Sequence, residues 1–132
     1  MAVISIETPY HNFDERIRQE NICYAILCCK HAIREFNEVP YASHLLFTQV
    51  VLNGRHFYVP DNFEDKFGLG RERAIIMTDE IRKRVDKLVF YTDRGFSNGM
   101  RHAKELAIRE KIPFEERKLP LVYLEEVLRK ND

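Results

Sequence analysis

Residues 92 to 101 read Thr92-Asp93-Arg94-Gly95-Phe96-Ser97-Asn98-Gly99-Met100-Arg101, directly after the apolar run Lys87-Leu88-Val89-Phe90-Tyr91. A parallel strand that empties into a polar loop and then a helix is where open α/β sheets hold ligands. Asp93, Ser97 and Asn98 supply polar side chains, and Gly95 and Gly99 let a ligand come close to the backbone. The helix start leaves amide hydrogens free and carries partial positive charge, which suits a phosphate or carboxylate. Arg94 and Arg101 flank it and can add bidentate contacts, and Met100 falls on the inward face of the helix that follows. The same string also reads as an ordinary strand-to-helix turn with Ser97 or Asn98 as its cap.

A second candidate segment is Thr8-Pro9-Tyr10, after a first strand. A third is His44, after a short second strand, with Gln49 beyond it. His44 has three readings: a hydrogen-bond donor, a general acid or a packed neutral ring. His11, His31, His56 and His102 show no metal-ligand spacing, so neither a metal nor a cofactor is expected. His31 is expected on the surface of a long helix. Glu72-Arg73 and Arg82-Lys83-Arg84 read as solvated helix faces. Cations near a helix start are disfavoured by its dipole, which leaves Arg71 and Arg73 candidates for facing an anionic ligand or partner.

The elements that must position these residues follow from periodicity. Residues 2–6 form a short apolar strand, and Asp14 reads as an N-cap. Ile22, Ala25, Ile26, Cys29, Ala32, Ile33 and Phe36 recur at helical spacing, so a helix is expected over about 15–37. A brief strand at 38–42, a short helix within 44–51 and a loop over about 52–69 follow; Asn53-Gly54 signals a turn there. Phe57, Tyr58, Phe63 and Phe67 argue that this loop packs on its own body or on a second subunit. A helix over about 71–84, the strand 87–91, a helix over about 99–111 and a strand over 114–119 complete the alternation. Pro120 opens a last helix with Leu121, Leu124 and Leu128 as its apolar face. The expected architecture is one α/β domain over residues 1–132, with a mainly parallel sheet of about four to five strands and helices on both faces.

Composition narrows the partners. The 132 residues carry 21 Lys plus Arg against 21 Asp plus Glu, a net charge of +0. Sequence-blind nucleic-acid binding needs a basic excess, so no nucleic acid is expected. Zero net charge gives no protection against association and favours a homo-oligomer. No apolar run approaches the ~20 residues that cross a bilayer, so no membrane partner is expected. Met1 to Glu7 is too short an apolar start, and ends on a charge, for a signal peptide. Cys23, Cys28 and Cys29 fall in one helix and read as reduced, buried residues of a cytoplasmic protein.

Taken together, Thr8-Pro9-Tyr10, Asn21 with Tyr24-Ala25, Ala42-Ser43-His44-Leu45-Leu46-Phe47-Thr48-Gln49 and Phe90 to Arg101 resemble a family of small proteins related to the nucleoside 2-deoxyribosyltransferases, frequent in phages and bacteria. The resemblance spans residues 3–119. It implies a Rossmann-like three-layer sandwich, usually oligomeric, that binds a nucleoside or nucleotide at the strand tips. It also implies that Ser97-Asn98-Gly99-Met100 cradles the sugar or phosphate. The transferases' nucleophilic glutamate is replaced here by Ala103, and Glu105 sits on another helix face. Asp93 is then the acidic residue left to hold sugar hydroxyls or activate a water. Three functions follow: nucleotide binding without covalent glycosyl transfer, as in sequestering a signalling nucleotide; N-glycosidic hydrolysis using Asp93 with His44; or a protein-interaction module using 52–69.

Overall fold

The computed structural model describes residues 1–47, 49–52, 55–58 and 70–127, with side chains for all of these except 47, 49–52, 56–58 and 71. In chain order the elements are β1 (Val3–Glu7), α1 (Glu15–Phe36), β2 (Val39–Tyr41), α2 (His44–Phe47), β3 (Gln49–Leu52), β4 (Arg55–Tyr58), α3 (Arg71–Arg82), β5 (Lys87–Tyr91), α4 (Asn98–Glu110), β6 (Phe114–Arg117) and α5 (Leu121–Val127). Four strands form an all-parallel sheet in the order β2-β1-β5-β6. Ser5 lies opposite Tyr41 and Leu88, and Tyr91 lies opposite Arg117. The expected α/β class with a parallel sheet is therefore what forms, as a Rossmann-like sandwich.

Strand alternation builds the layers. Ile4, Ile6, Val89 and Tyr91 turn to one face and pack with Tyr24, Cys28 and Ala32 of α1 and Val127 of α5. Leu88 and Phe90 turn to the other and pack with Met100, Ala103 and Ala107 of α4. Ser5 and Glu7 share that second face, where α3 also lies. Asp14 caps α1 by accepting from the Arg16 amide, and Arg18 Nη1 donates to the Asn12 carbonyl to hold the incoming turn. Asn37 and Lys111 close α1 and α4 in the left-handed conformation, at φ 52° and 56°. Asparagine accepts that conformation more readily than most residues.

Several expectations change. The inward face of α1 is rotated: Arg18, Asn21, Tyr24 and His31 are buried, whereas Ile33 and Phe36 are about half exposed. His31 is not on the surface, because α5 packs beside it. Its Nδ1 lies 2.8 Å from the Tyr91 hydroxyl, and its ring meets Tyr123 edge-on. Cys23 is exposed, Cys28 buried and Cys29 between the two. The 44–51 segment is not all helix: α2 ends at Phe47, and β3 begins at Gln49. Part of the expected 52–69 loop is strand, since β4 pairs antiparallel with β3, Leu52 opposite Arg55. Residues 53–54 and 59–69 lie outside the described residues. On α5, Leu121 is 70% exposed, while Tyr123, Leu124 and Val127 face the core. Leu128 lies outside the described residues.

A buried ion cluster joins the sheet to α1. Arg117 donates to both Glu38 oxygens, at 2.7 and 2.8 Å, and its guanidinium lies 3.6 Å from the centre of the Phe36 ring. Lys87 also binds Glu38, at 3.1 Å, and pairs with Glu115. Breaking a buried pair strands a charge, at a cost of about 3–5 kcal/mol. Arg117→Ala is therefore expected to lower the unfolding free energy by about that amount in urea denaturation. Glu38→Gln, which leaves Arg117 a neutral acceptor, is expected to cost less.

Candidate functional site

The topology reverses beside β1. The chain leaves β1 through α1 to reach β2 on one side, then returns through α3 to reach β5 on the other. The carboxyl ends of β1 and β5 thus part to leave a crevice, the usual ligand position in such sheets. A cleft of about 420 Å³ opens there, on the α3–α4 side. Glu7, Thr8, Tyr10 and His11 line it from β1 and the segment after it. Ser43 and His44 enter from the start of α2, Thr78 and Arg82 from α3, and Ser97 to Met100 with His102 from α4.

The floor is polar and internally satisfied. Glu7 is 4% exposed, yet it accepts Arg82 Nε at 3.0 Å and Nη2 at 2.6 Å, together with the Ser5 hydroxyl at 2.6 Å. Arg82 also donates Nη1 to Asp79 Oδ1 at 2.9 Å, and Asp79 Oδ2 lies 2.8 Å from His102 Nε2. Thr8 Oγ1 lies 2.7 Å from His44 Nε2, and the His44 ring stacks near Tyr10. Burial, with the Arg82 guanidinium nearby, lowers the His44 pKa to about 4. At neutral pH His44 is therefore an uncharged ring that can either accept or donate a hydrogen bond. Ser97 caps α4, its hydroxyl accepting from the Met100 amide. A Cβ built on Gly99 would meet nothing nearer than Ser97 Oγ at 3.9 Å, so the backbone there is open to approach.

Asp93 belongs to a different cleft. A cavity of about 600 Å³ is lined by Pro9, His11, Asn21, Tyr24, Asp93 and Arg94, among others. The Asp93 carboxylate is a clamp between elements: Oδ2 accepts the Tyr24 hydroxyl at 2.6 Å and the Leu119 amide at 2.9 Å. Burial, with Cys28 and Asp93 close by, pushes the Tyr24 hydroxyl pKa well above its usual value. Arg94 is likewise engaged, with Asn21 at 2.9 Å and Glu20 at 3.1 Å.

Thr8, Tyr10, His44, Ser97, Asn98, Gly99 and Met100 are therefore brought together, while Pro9, Asp93 and Arg94 fall in the neighbouring cleft; His11 borders both. Gly95 forms the turn, at φ 87°, with its amide bonded to Thr92, and Arg101 is exposed and bonded to Asn98. Neither lines these clefts. The Gln49 side chain lies outside the described residues. Ala103 is fully buried in the core beneath α4. Arg82 corrects the reading of 82–84 as a solvated face: it is 7% exposed, because the Glu7 carboxylate draws it inward. Among the described residues no group of His, Cys, Asp or Glu gathers as a metal site, and no helix is long and apolar enough to cross a membrane.

Sequence reasoning missed Glu7, Arg82, Asp79 and His102. The available signal was the carboxylate of Glu7 at the end of an otherwise apolar strand, which needs a buried partner.

Two measurements check these roles. Asp93→Ala leaves the Tyr24 hydroxyl and the Leu119 amide without their acceptor, and is expected to lower stability by about 2–4 kcal/mol. His44 binds a proton more weakly when folded than when unfolded. Its contribution to stability is therefore full above pH 6.5 and is lost as pH falls toward about 4. The unfolding free energy from urea titration is expected to drop across that interval, by up to about 3–4 kcal/mol from this ring, and to drop less in His44→Gln.

No curated protein and no solved structure matches this chain, and nothing in these comparisons connects it with the deoxyribosyltransferases. One family model does match, over residues 2–117, which is most of the chain and the whole of the four-stranded sheet. The chain thus belongs to the family described as a domain of unknown function, DUF7768.

Proposed function

We propose that the protein binds a nucleotide or nucleotide-derived signal molecule in the cleft between β1, α2, α3 and α4, without covalent glycosyl transfer, and so can sequester such a molecule. The observation that carries this reading is convergence. Thr8, His44 and Ser97 to Met100, far apart in sequence, line one cleft at the point where the sheet's topology reverses. Its volume of about 420 Å³ suits a small molecule. The first amides of α4 favour a phosphate, and the hydrogen-bonded pair of Thr8 and neutral His44 makes the facing wall polar but uncharged. Ala103 in the core leaves that position without a nucleophile. Hydrolysis by Asp93 with His44 would need both on one ligand, and they line separate clefts. We take the working form to be a homo-oligomer, by its zero net charge, and cytoplasmic, by its free cysteines.

Calorimetry against nucleoside monophosphates, cyclic dinucleotides and ADP-ribose derivatives tests the reading, with native mass spectrometry of the purified protein reporting retained ligand and assembly together. At least one class is expected to bind. Gly99→Ala is expected to weaken that binding about tenfold or more while leaving thermal stability at or above that of the parent chain, because the added methyl meets open space yet blocks approach to the amides. Absence of binding across the whole panel would overturn the reading.

A further inference from the structure

One side chain on the wall of this cleft plays no part in the reading above. His102 stands on α4, its side chain 45% exposed, with Nε2 held 2.8 Å from Asp79 Oδ2. Asp79 is fixed in turn by Arg82, and Arg82 by the buried Glu7, so the imidazole is anchored through three charged groups to the end of β1. An ionised carboxylate only accepts hydrogen bonds, so Nε2 carries the hydrogen toward Asp79. Nδ1 is thereby left as the reactive edge of the ring, and it has no partner among the described residues. A solvated surface pair would have no such anchor: exposed ion pairs normally pay side-chain entropy to hold one geometry.

The fixed tautomer has a sign consequence. In the neutral ring Nδ1 presents a lone pair, which repels an anion. In the charged ring it presents N–H, which binds one. We propose that His102, positioned by Asp79, is the residue through which the cleft takes an anionic group of its ligand, as an imidazolium donating Nδ1–H. This rests on the cleft being the binding site, and it adds that binding of the anionic group is coupled to uptake of a proton. Besides Asp79, which binds it, the titratable and charged groups that share its cleft are Glu7 of β1, His11 after it, His44 of α2 and Arg82 of α3, while Arg101 and Glu105 neighbour it along α4. Glu7 and Arg82 neutralise each other, and His44 is already uncharged at neutral pH. His11 is the remaining imidazole on the wall and serves as the control.

Sulfate is the suitable probe, because it stays doubly charged across the range in which imidazoles titrate. Titration of the full chain with sodium sulfate at about pH 5.5 and about pH 8, followed by calorimetry and by imidazole NMR signals, reads the coupling. Affinity is expected to rise at least about tenfold at the lower pH, as for a hydrogen bond gained to a charged group. His102→Gln is expected to remove that rise and His11→Gln to keep it. Asp79→Ala, which removes the acceptor that holds Nε2 in place, is expected to shrink the rise. Equal wild-type affinity at both pH values, an unchanged rise in His102→Gln, or no sulfate binding at all would each overturn the proposal. A chain that binds a member of the nucleotide panel but shows any of these three results loses only the role of His102. A chain that binds neither sulfate nor nucleotide loses the cleft reading as well.

Discussion

The pair between Glu7 and Arg82 is the constraint on which the candidate site depends. Both residues are almost fully buried, and both Glu7 oxygens are bound by the one guanidinium. Such a pair adds little stability over an apolar contact, but removing one partner is costly, so the geometry is held firmly. It fixes the end of α3 against the end of β1. Arg82 also contributes to keeping His44 uncharged, and through Asp79 it reaches α4. Three walls of the cleft are thus referred to a single buried carboxylate.

The opposite side of the same sheet edge is organised differently. There Asp93 binds α1 through Tyr24 and the segment after β6 through the Leu119 amide. Arg94 reaches Asn21 and Glu20, and Asn21 in turn donates to the Tyr10 carbonyl. The segment 8–11 is therefore tied down from the α1 side and lines the cleft on the α3–α4 side. A preorganised wall lowers the ordering cost of binding. The residue that looks most like chemistry in the sequence, Asp93, contributes here by tying α1 to the segment after β6.

Most of the fold was legible because its signals are local. The apolar run 87–91, the Asp14 cap and the spacing of Ile22, Ala25 and Ala32 each report one element. Ser97 was legible as a cap for the same reason. What was not legible depends on pairs distant in sequence. Arg82 in a run of cations reads as solvated until Glu7, 75 residues away, is placed beside it. His31 looks like a surface residue until α5 covers it and Tyr91 offers a hydroxyl. Asp93 and Ser97 are four residues apart in one loop, yet the turn at Gly95 sends them to different clefts. Spacing along a loop does not say which side of a sheet edge a side chain reaches.

The central claim is a location: a small molecule sits where β1, α2 and α4 meet. Amide NMR spectra of the full chain, with and without its tightest-binding nucleotide, test that location residue by residue. The account predicts shifts concentrated at Thr8, Tyr10, Ser43, His44 and Asn98 to Met100. Shifts confined to Asn21, Asp93 and Arg94 would contradict it and place the ligand in the neighbouring cleft.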